Sequence, residues 1–222
     1  ASPVNDFSIT VATKNGSGSA TSNGVLLRAL FMTGAAVSGK NLFPSNIQGL
    51  PTWYTIRLSK DGYRARRLRP EITVILNPAS ALEDLAGAEP DGVVLYPDDL
   101  NLPRDRDDLT FYPMPVKELA RKSSAAPALR PYVANFVYVG VLAHLLGIET
   151  SEIHAATTFH FKGKAKPIQL NMEVYTAARA WAETNLTKTD PYRVERMDGG
   201  NDEFIMIDGN TAAALGAIYG GV

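Results

Sequence analysis

The densest run of side chains able to do chemistry is Ser38-Gly39-Lys40-Asn41-Leu42-Phe43-Pro44-Ser45-Asn46-Ile47-Gln48-Gly49-Leu50-Pro51-Thr52-Trp53-Tyr54-Thr55-Ile56-Arg57. A cation, two Asn, a Gln, Ser and Gly fill a turn-rich loop between two apolar runs, far more than a connection needs. Lys40 stands at the expected carboxyl end of a strand, the edge at which open α/β sheets present ligands. An ammonium there can pair with a carboxylate or a phosphate, and the pairing strengthens once a closing lid removes water. Asn41, Ser45, Asn46 and Gln48 supply neutral donors and acceptors around it. A second reading stays open, in which Lys40 is a solvated loop lysine and the polar side chains satisfy the loop's own backbone.

Gly16, Ser17 and Gly18 offer a different chemistry. They separate a strand from a helix, so backbone N–H groups at the helix start can receive a phosphate or carboxylate. The alternative is a tight turn that uses glycine for positive φ. A third glycine and a ribose-binding acid are missing, which counts against a dinucleotide site. Arg57 can reach the ligand of Lys40, or be paired on its strand. Arg64, Arg66, Arg67 and Arg69 form a denser cation source, either clamping phosphates or lining a solvated edge strand. His144, His154 and His160 lack metal-like spacing. Asp105-Arg106-Asp107-Asp108 lacks the spaced oxygen ligands of a calcium loop. No Ser/His/Asp grouping has a supporting motif.

The elements that must position these residues follow from periodicity. Phe7 to Thr13 alternates as a strand, and Ala20 to Gly34 is helical with Leu26, Leu27, Leu30 and Phe31 as its stripe. Val37 begins a second strand and Pro51 to Leu58 a third. Asp61-Gly62 predicts a hairpin whose returning strand carries the arginines. Ile72 to Leu76, Asp91 to Tyr96 and Leu109 to Met114 read as strands, with a helix from Ala79 to Ala86. Helices are expected over Val116–Lys122, Tyr132–Leu146, Ser151–His160 and Pro167–Asn185. The pattern predicts an α/β three-layer sandwich with a mostly parallel or mixed sheet. The polar stretch after Leu186 reads as a linker, and the small-residue helix near the end as the front of a longer polypeptide or a piece of a tight complex.

Composition narrows the classes. With 222 residues, 45% hydrophobic and 20% charged, the chain suits one sizeable core. Its 22 Lys plus Arg against 23 Asp plus Glu give no electrostatic case for nucleic acid or an anionic membrane. With no cysteine, disulfides and cysteine-ligated clusters within this sequence are excluded. No apolar run reaches the roughly 18 residues of a membrane span, and a cytoplasmic location is the default.

Three segments in order carry a resemblance: the strand leading into Asn15-Gly16-Ser17-Gly18, the loop Lys40 to Gly49, and the tail Asp208-Gly209-Asn210-Thr211-Ala212-Ala213-Ala214-Leu215-Gly216-Ala217. Together they resemble 2-oxoacid:acceptor (ferredoxin) oxidoreductases. The first two look like the family's gamma domain and the third like the opening of its alpha segment, the pyrimidine-side thiamine domain. Two motifs depart from the family pattern: Gly16-Ser17-Gly18 stands where Gly-Gln-Gly is common, and Gln48-Gly49-Leu50 where Arg-Gly-Gly is. The loop lysine is similar to the 2-oxoglutarate branch.

The resemblance implies a gamma-type α/β domain over residues 1–188, a linker over 189–203 and the start of the alpha domain over 204–222. It implies a part of a complex that oxidises a 2-oxoacid with coenzyme A and ferredoxin, reversibly in some members. Thiamine diphosphate, magnesium and an iron–sulfur cluster would be held by partner chains, namely the remaining alpha segment and a beta subunit, in a dimer of heteromers. Lys40, Asn41, Ser45, Asn46, Gln48, Gly16, Ser17, Gly18 and Arg57 would contact substrate or coenzyme A, with no catalytic residue in this chain. Two other classes remain: a non-catalytic assembly module, and a stand-alone nucleotide-binding protein.

Overall fold

The computed structural model describes residues 3–43 and 47–222. A six-stranded sheet runs in the order β2-β3-β1-β4-β5-β6. The strands are β1 (Asp6–Lys14), β2 (Ala36–Leu42), β3 (Pro51–Ser59), β4 (Ile72–Ile75), β5 (Val93–Pro97) and β6 (Thr110–Met114). β1, β4, β5 and β6 are parallel, while β3 lies antiparallel between β1 and β2. The mixed α/β sheet is the architecture that the sequence predicts.

Alternation along the strands decides what each face meets. Phe7, Ile9 and Val11 pair across to Leu58, Ile56 and Tyr54 and join Ile72 and Val74 in the main core. That face is covered by α1 (Ser19–Met32), α5 (Phe136–Leu146), α6 (Thr150–His160) and α7 (Ala165–Asn185). Close packing of α5 on α7 rests on Gly140, where a Cβ would stand 2.5 Å from the Tyr175 carbonyl oxygen. The opposite face carries Ser8, Thr10, Thr55 and Arg57 on β1 and β3, with Ser38 and Lys40 on β2. A smaller core under α2 (Ala81–Gly87), built on Ile75, Leu85, Val94 and Tyr96, covers part of it.

Two expected elements differ. The hairpin after β3 does not form, because β1 and β2 already occupy both edges of β3. Residues 63–70 are irregular instead, turned by Ser59, whose Oγ accepts from the N–H groups of Asp61 and Tyr63. The long helix expected over Tyr132–Leu146 is split into α4 (Arg130–Val133) and α5. At the break, Asn135 Nδ2 donates to the carbonyl oxygens of Tyr132 (3.1 Å) and Ser17 (2.9 Å), the competition by which Asn side chains interrupt helices. α3 (Val116–Lys122) completes this half.

The stretch that reads as a linker is partly docked. Val4 bridges to Arg193, Tyr192 and Val194 are buried, and Asn201 Nδ2 donates to the carbonyl oxygens of Phe31 and Ala35 at 2.7 and 2.9 Å. Beyond it, α8 (Gly209–Gly220) is capped by Asp208, which accepts from the Thr211 N–H at 2.8 Å, and every one of its residues is exposed.

Candidate ligand site at the sheet edge and face

The residues singled out by sequence fall into two groups. The first lies at the carboxyl edge of the sheet. Asn15 N–H donates to the Leu50 carbonyl at 2.9 Å, Gly49 N–H donates back to the Asn15 carbonyl at 3.0 Å, and Asn15 Nδ2 reaches the Ile47 carbonyl at 3.2 Å. The glycine turn and the far end of the loop are therefore one rim.

Gly16 and Gly18 both have positive φ, 84° and 81°. Each also makes room for a side chain: a Cβ on Gly16 would stand 3.0 Å from Gln48 Cγ, and one on Gly18 2.6 Å from Tyr132 Cδ1. Gln48 and Tyr132 thus fill the space above the glycines that a dinucleotide pyrophosphate needs. Gly18 caps α1 without a side-chain hydrogen bond.

Below the rim, Thr13, Lys14, Ser17, Leu76, Asp99 and Lys117 line a cavity of about 260 Å³. It opens between β1 and β4, whose following helices lie on opposite faces, the switch point at which open α/β sheets hold ligands. The Ser17 Oγ is buried without a hydrogen-bond partner among the described residues.

The second group lies on the sheet face away from α1. Lys40 is opposite Thr55 and Ser38 is opposite Arg57, so all four point to one side. From Lys40 to Lys14 the path crosses two strands and runs four residues along them, roughly 16 Å. Asn41, one residue on, faces the other way, and its Oδ1 accepts from Thr52 Oγ1 at 3.4 Å. Ser45 and Asn46 lie outside the described residues.

Arg57 is 3% exposed and ion-paired to Asp6 Oδ1, with Nη1 donating to the Phe7 carbonyl at 3.2 Å. Arg67 holds the other Asp6 oxygen at 2.9 Å and is also paired to Glu71. Burial pushes the Asp6 carboxyl up, but the hydrogen bonds and charges of Arg57 and Arg67 outweigh it and hold Asp6 below the usual carboxylate range. The guanidinium expected to reach a ligand already has a carboxylate partner.

Sequence reasoning reads Arg64 and Arg66 as a cation source but misses where they land. The irregular 63–70 segment brings them against Ser38, Lys40, Thr55 and Arg57 around a cavity of about 350 Å³. No local spacing reveals this, since Ser38 and Lys40 lie more than 20 residues before Arg64 and Arg66. Tyr132 and Asn135, packed against the glycine turn, are more distant still in sequence.

The chain has no cysteine, and no group of three His, Cys, Asp or Glu among the described residues could hold a metal ion. The described residues do not fit magnesium-bound thiamine diphosphate or an iron–sulfur cluster. Among the described residues no helix is long and apolar enough to cross a membrane.

The chain is 30% identical over 119 residues to ketoisovalerate oxidoreductase subunit VorA of Methanothermobacter thermautotrophicus, covering 53% of this chain and 24% of that protein. It is 21% identical to 2-oxoacid:ferredoxin oxidoreductase 2, subunit alpha, of Aeropyrum pernix, covering 98% and 40%. The chain therefore spans about a quarter to two-fifths of these relatives.

Among solved structures, the 2-oxoglutarate:ferredoxin oxidoreductase of Magnetococcus marinus, determined with 2-oxoglutarate, coenzyme A and succinyl-CoA bound, superposes with a TM-score of 0.85 at 25% identity, over 98% of this chain and 38% of that one. The gamma subunit of a keto/oxoacid ferredoxin oxidoreductase from Geobacter sulfurreducens shares the fold, with a TM-score of 0.63 at 16% identity over 80% of this chain and 99% of that one. Residues 8–181 match the family model described as pyruvate ferredoxin/flavodoxin oxidoreductase, and the chain belongs to that family.

Proposed function

We propose that this chain is the gamma region, with the beginning of the alpha segment, of a thiamine-diphosphate-dependent 2-oxoacid:ferredoxin oxidoreductase. In the proposed reaction a 2-oxoacid and coenzyme A give the acyl-CoA and carbon dioxide, and two electrons pass to ferredoxin. Thiamine diphosphate, magnesium and an iron–sulfur cluster, held by a beta subunit and the rest of the alpha segment, supply the decarboxylation and electron-transfer chemistry. This chain contributes binding and enclosure in a cytoplasmic complex. The 2-oxoglutarate-bound relative supports 2-oxoglutarate as substrate.

The observation that carries this reading is the joined rim. The Asn15 N–H donating to the Leu50 carbonyl and the Gly49 N–H donating to the Asn15 carbonyl tie the far end of the polar loop to the glycine turn at the switch point of the sheet. A rim of fixed shape carrying Gln48, with Ser17 and Lys14 below and Lys40 on the adjoining face, can close over a ligand and displace water without supplying a reacting atom. Loop residues in this role alter binding and leave the bond-breaking step to the partner chains.

The test is Lys40→Ala in the assembled complex. A raised KM for 2-oxoacid or coenzyme A, with subunits still associated, supports the reading. Dissociation of the complex at unchanged KM in the residual assembly instead favours an assembly module. Tight nucleotide binding by the isolated protein would favour a nucleotide-binding protein, which Gln48 and Tyr132 packed over the glycines argue against.

A further inference from the structure

We infer that the outer face of α1 and the end of α6 form a docking groove for a partner segment of the assembled complex, one that carries an apolar side chain flanked by carboxylates. This docking rests on the reading of the chain as part of an oxidoreductase complex. It lies on the helical side of the sheet, across from Lys40.

The outer stripe of α1 is not that of a solvated helix. Ala20, Gly24, Leu27 and Phe31 follow at intervals of four, three and four residues, none of them fully buried. Arg28 is the one charged residue in the helix, and its guanidinium lies over the Phe159 ring, 3.5 Å from the centroid. Phe159 itself is 62% exposed. A cavity of about 610 Å³ opens among Gly24, Arg28, Phe159, His160, Lys162 and Met206. Gly24, Arg28, Phe159 and Met206 also wall a second cavity, which runs past Leu27 and Phe31 to the strap of residues 204–208. Phe204 and Ile205 of that strap are exposed as well. Apolar surface gathered around one concavity is the mark of a protein contact.

Gly24 sets the depth of the groove. Glycine inside a helix is less stable than alanine, and nothing among the described residues lies within 4 Å of the place its Cβ would take. No left-handed backbone and no neighbour within this chain requires it. A close approach from outside does, as α7 requires glycine at Gly140.

The rim decides the partner's charge. Arg28, His160 and Lys162 stand at the first cavity with no carboxylate in its wall. Lys164 and Lys166 continue the run into α7, whose first turn holds no acidic residue. None of these five has an ion-pair partner among the described residues. Asp208 lines the second cavity, but it is engaged in capping α8. Carboxylates beside an apolar anchor would meet uncompensated positive charge, which steers and orients the incoming segment. The exposed α8 of a second copy offers apolar residues without a carboxylate and does not match this rim.

The experiment uses the assembled oxidoreductase. Gly24→Leu puts a bulky helix former into the open space, and Leu82→Ser, on the exposed side of α2, is the control. Gly24→Leu is expected to weaken assembly roughly tenfold or more on dilution, with amide exchange in β1 and β4 unchanged. Leu82→Ser should leave assembly as in wild type. Lys162→Glu combined with Lys164→Glu should slow association by roughly three- to tenfold at low salt and converge with wild type at high salt. Phe159 replaced by p-benzoylphenylalanine should photo-cross-link to a peptide outside this chain with Asp or Glu within two helical turns of the linked residue.

Unchanged assembly with Gly24→Leu at preserved exchange, no cross-link, a cross-link to a second copy of this chain, or a linked peptide without acidic residues overturns the docking site. If Gly24→Leu loses protection in β1 and β4, the cross-linked peptide decides alone. If the complex oxidises no 2-oxoacid with coenzyme A, the proposed function fails, and the docking site still stands or falls on the cross-link and on assembly.

Discussion

The indole N–H of Trp53 on β3 donates to Asp84 Oδ1 on α2 at 2.6 Å, and Ser80 Oγ donates to the other oxygen at 2.7 Å. Trp53 pairs with Leu42, the last residue of β2 before the polar loop, so this bond pins the base of the loop to the smaller core. Burial pushes the Asp84 carboxyl up, and the hydrogen bonds from Trp53 and Ser80 only partly counter it. Because its folded-state pKa lies above the ordinary value, the native protein binds this proton more readily than the unfolded chain. Stability from Asp84 therefore rises as pH falls from the raised value toward the ordinary one, and is lost above it. Asp84→Asn should remove that acid-side gain in denaturant titrations across pH 4 to 7. Asp84→Ala should cost about 1–3 kcal/mol at pH 7 by leaving two donors unpaired, with a changed Trp53 fluorescence.

Local periodicity makes most elements legible and leaves most of the site obscure. Alternation marks β1 and β3, and apolar runs mark β4 and β5, because each strand's burial is written in its own residues. The 63–70 segment defeats the hairpin signal of Asp61-Gly62, since pairing depends on which strand edges are already taken. Gly16 and Gly18 are recognisable as turn glycines, but their crowding by Gln48 and Tyr132 is a long-range fact. Lys40 is identifiable as a candidate cation, yet its company with Arg64 and Arg66 depends on a fold-back of more than 20 residues.

Gly34 ties the docked stretch to the helical layer. Its φ is 88°, and a Cβ there would lie 1.8 Å from the Met197 carbonyl oxygen. The Met197 N–H meanwhile donates to the Thr33 carbonyl at 2.7 Å. Gly34→Ala cannot be absorbed by a side-chain shift, because the obstructing atom is backbone. It should cost about 1–3 kcal/mol and release residues 197–201, read as faster amide exchange there and earlier proteolysis near Phe204. Unchanged exchange across this stretch would contradict the docking.

Gly16 and Gly49 make an internally controlled pair for the rim. Both have positive φ, 84° and 90°, but only at Gly16 does a new Cβ meet another residue among those described, Gln48 Cγ at 3.0 Å. Either alanine variant carries a left-handed strain of roughly 1–2 kcal/mol. Only Gly16→Ala should also displace Gln48, so it should raise KM for coenzyme A or 2-oxoacid in the complex beyond the effect of Gly49→Ala at matched thermal stability. Equal KM changes would mean that the Gln48 contact does not shape the ligand site.

Asp6 answers acid in the opposite sense to Asp84. Its folded-state pKa is depressed, so its contribution is complete above the ordinary carboxylate value and is lost as pH falls through the depressed one. The loss matters because Arg57, at 3% exposure, is left buried without its carboxylate when Asp6 is protonated. Asp6→Asn reproduces that state at every pH and should cost about 3 kcal/mol at pH 7, while flattening the fall in stability on the acid side. Arg67→Gln removes the more exposed partner of the same carboxylate and the cation paired to Glu71, and should cost less, because Arg57 keeps its contact with Asp6 and Glu71 still accepts from the Ser8 N–H at 2.7 Å. If Asp6→Asn were neutral while Arg67→Gln was costly, the buried Asp6–Arg57 pair would not be what fixes this end of β1 and β3.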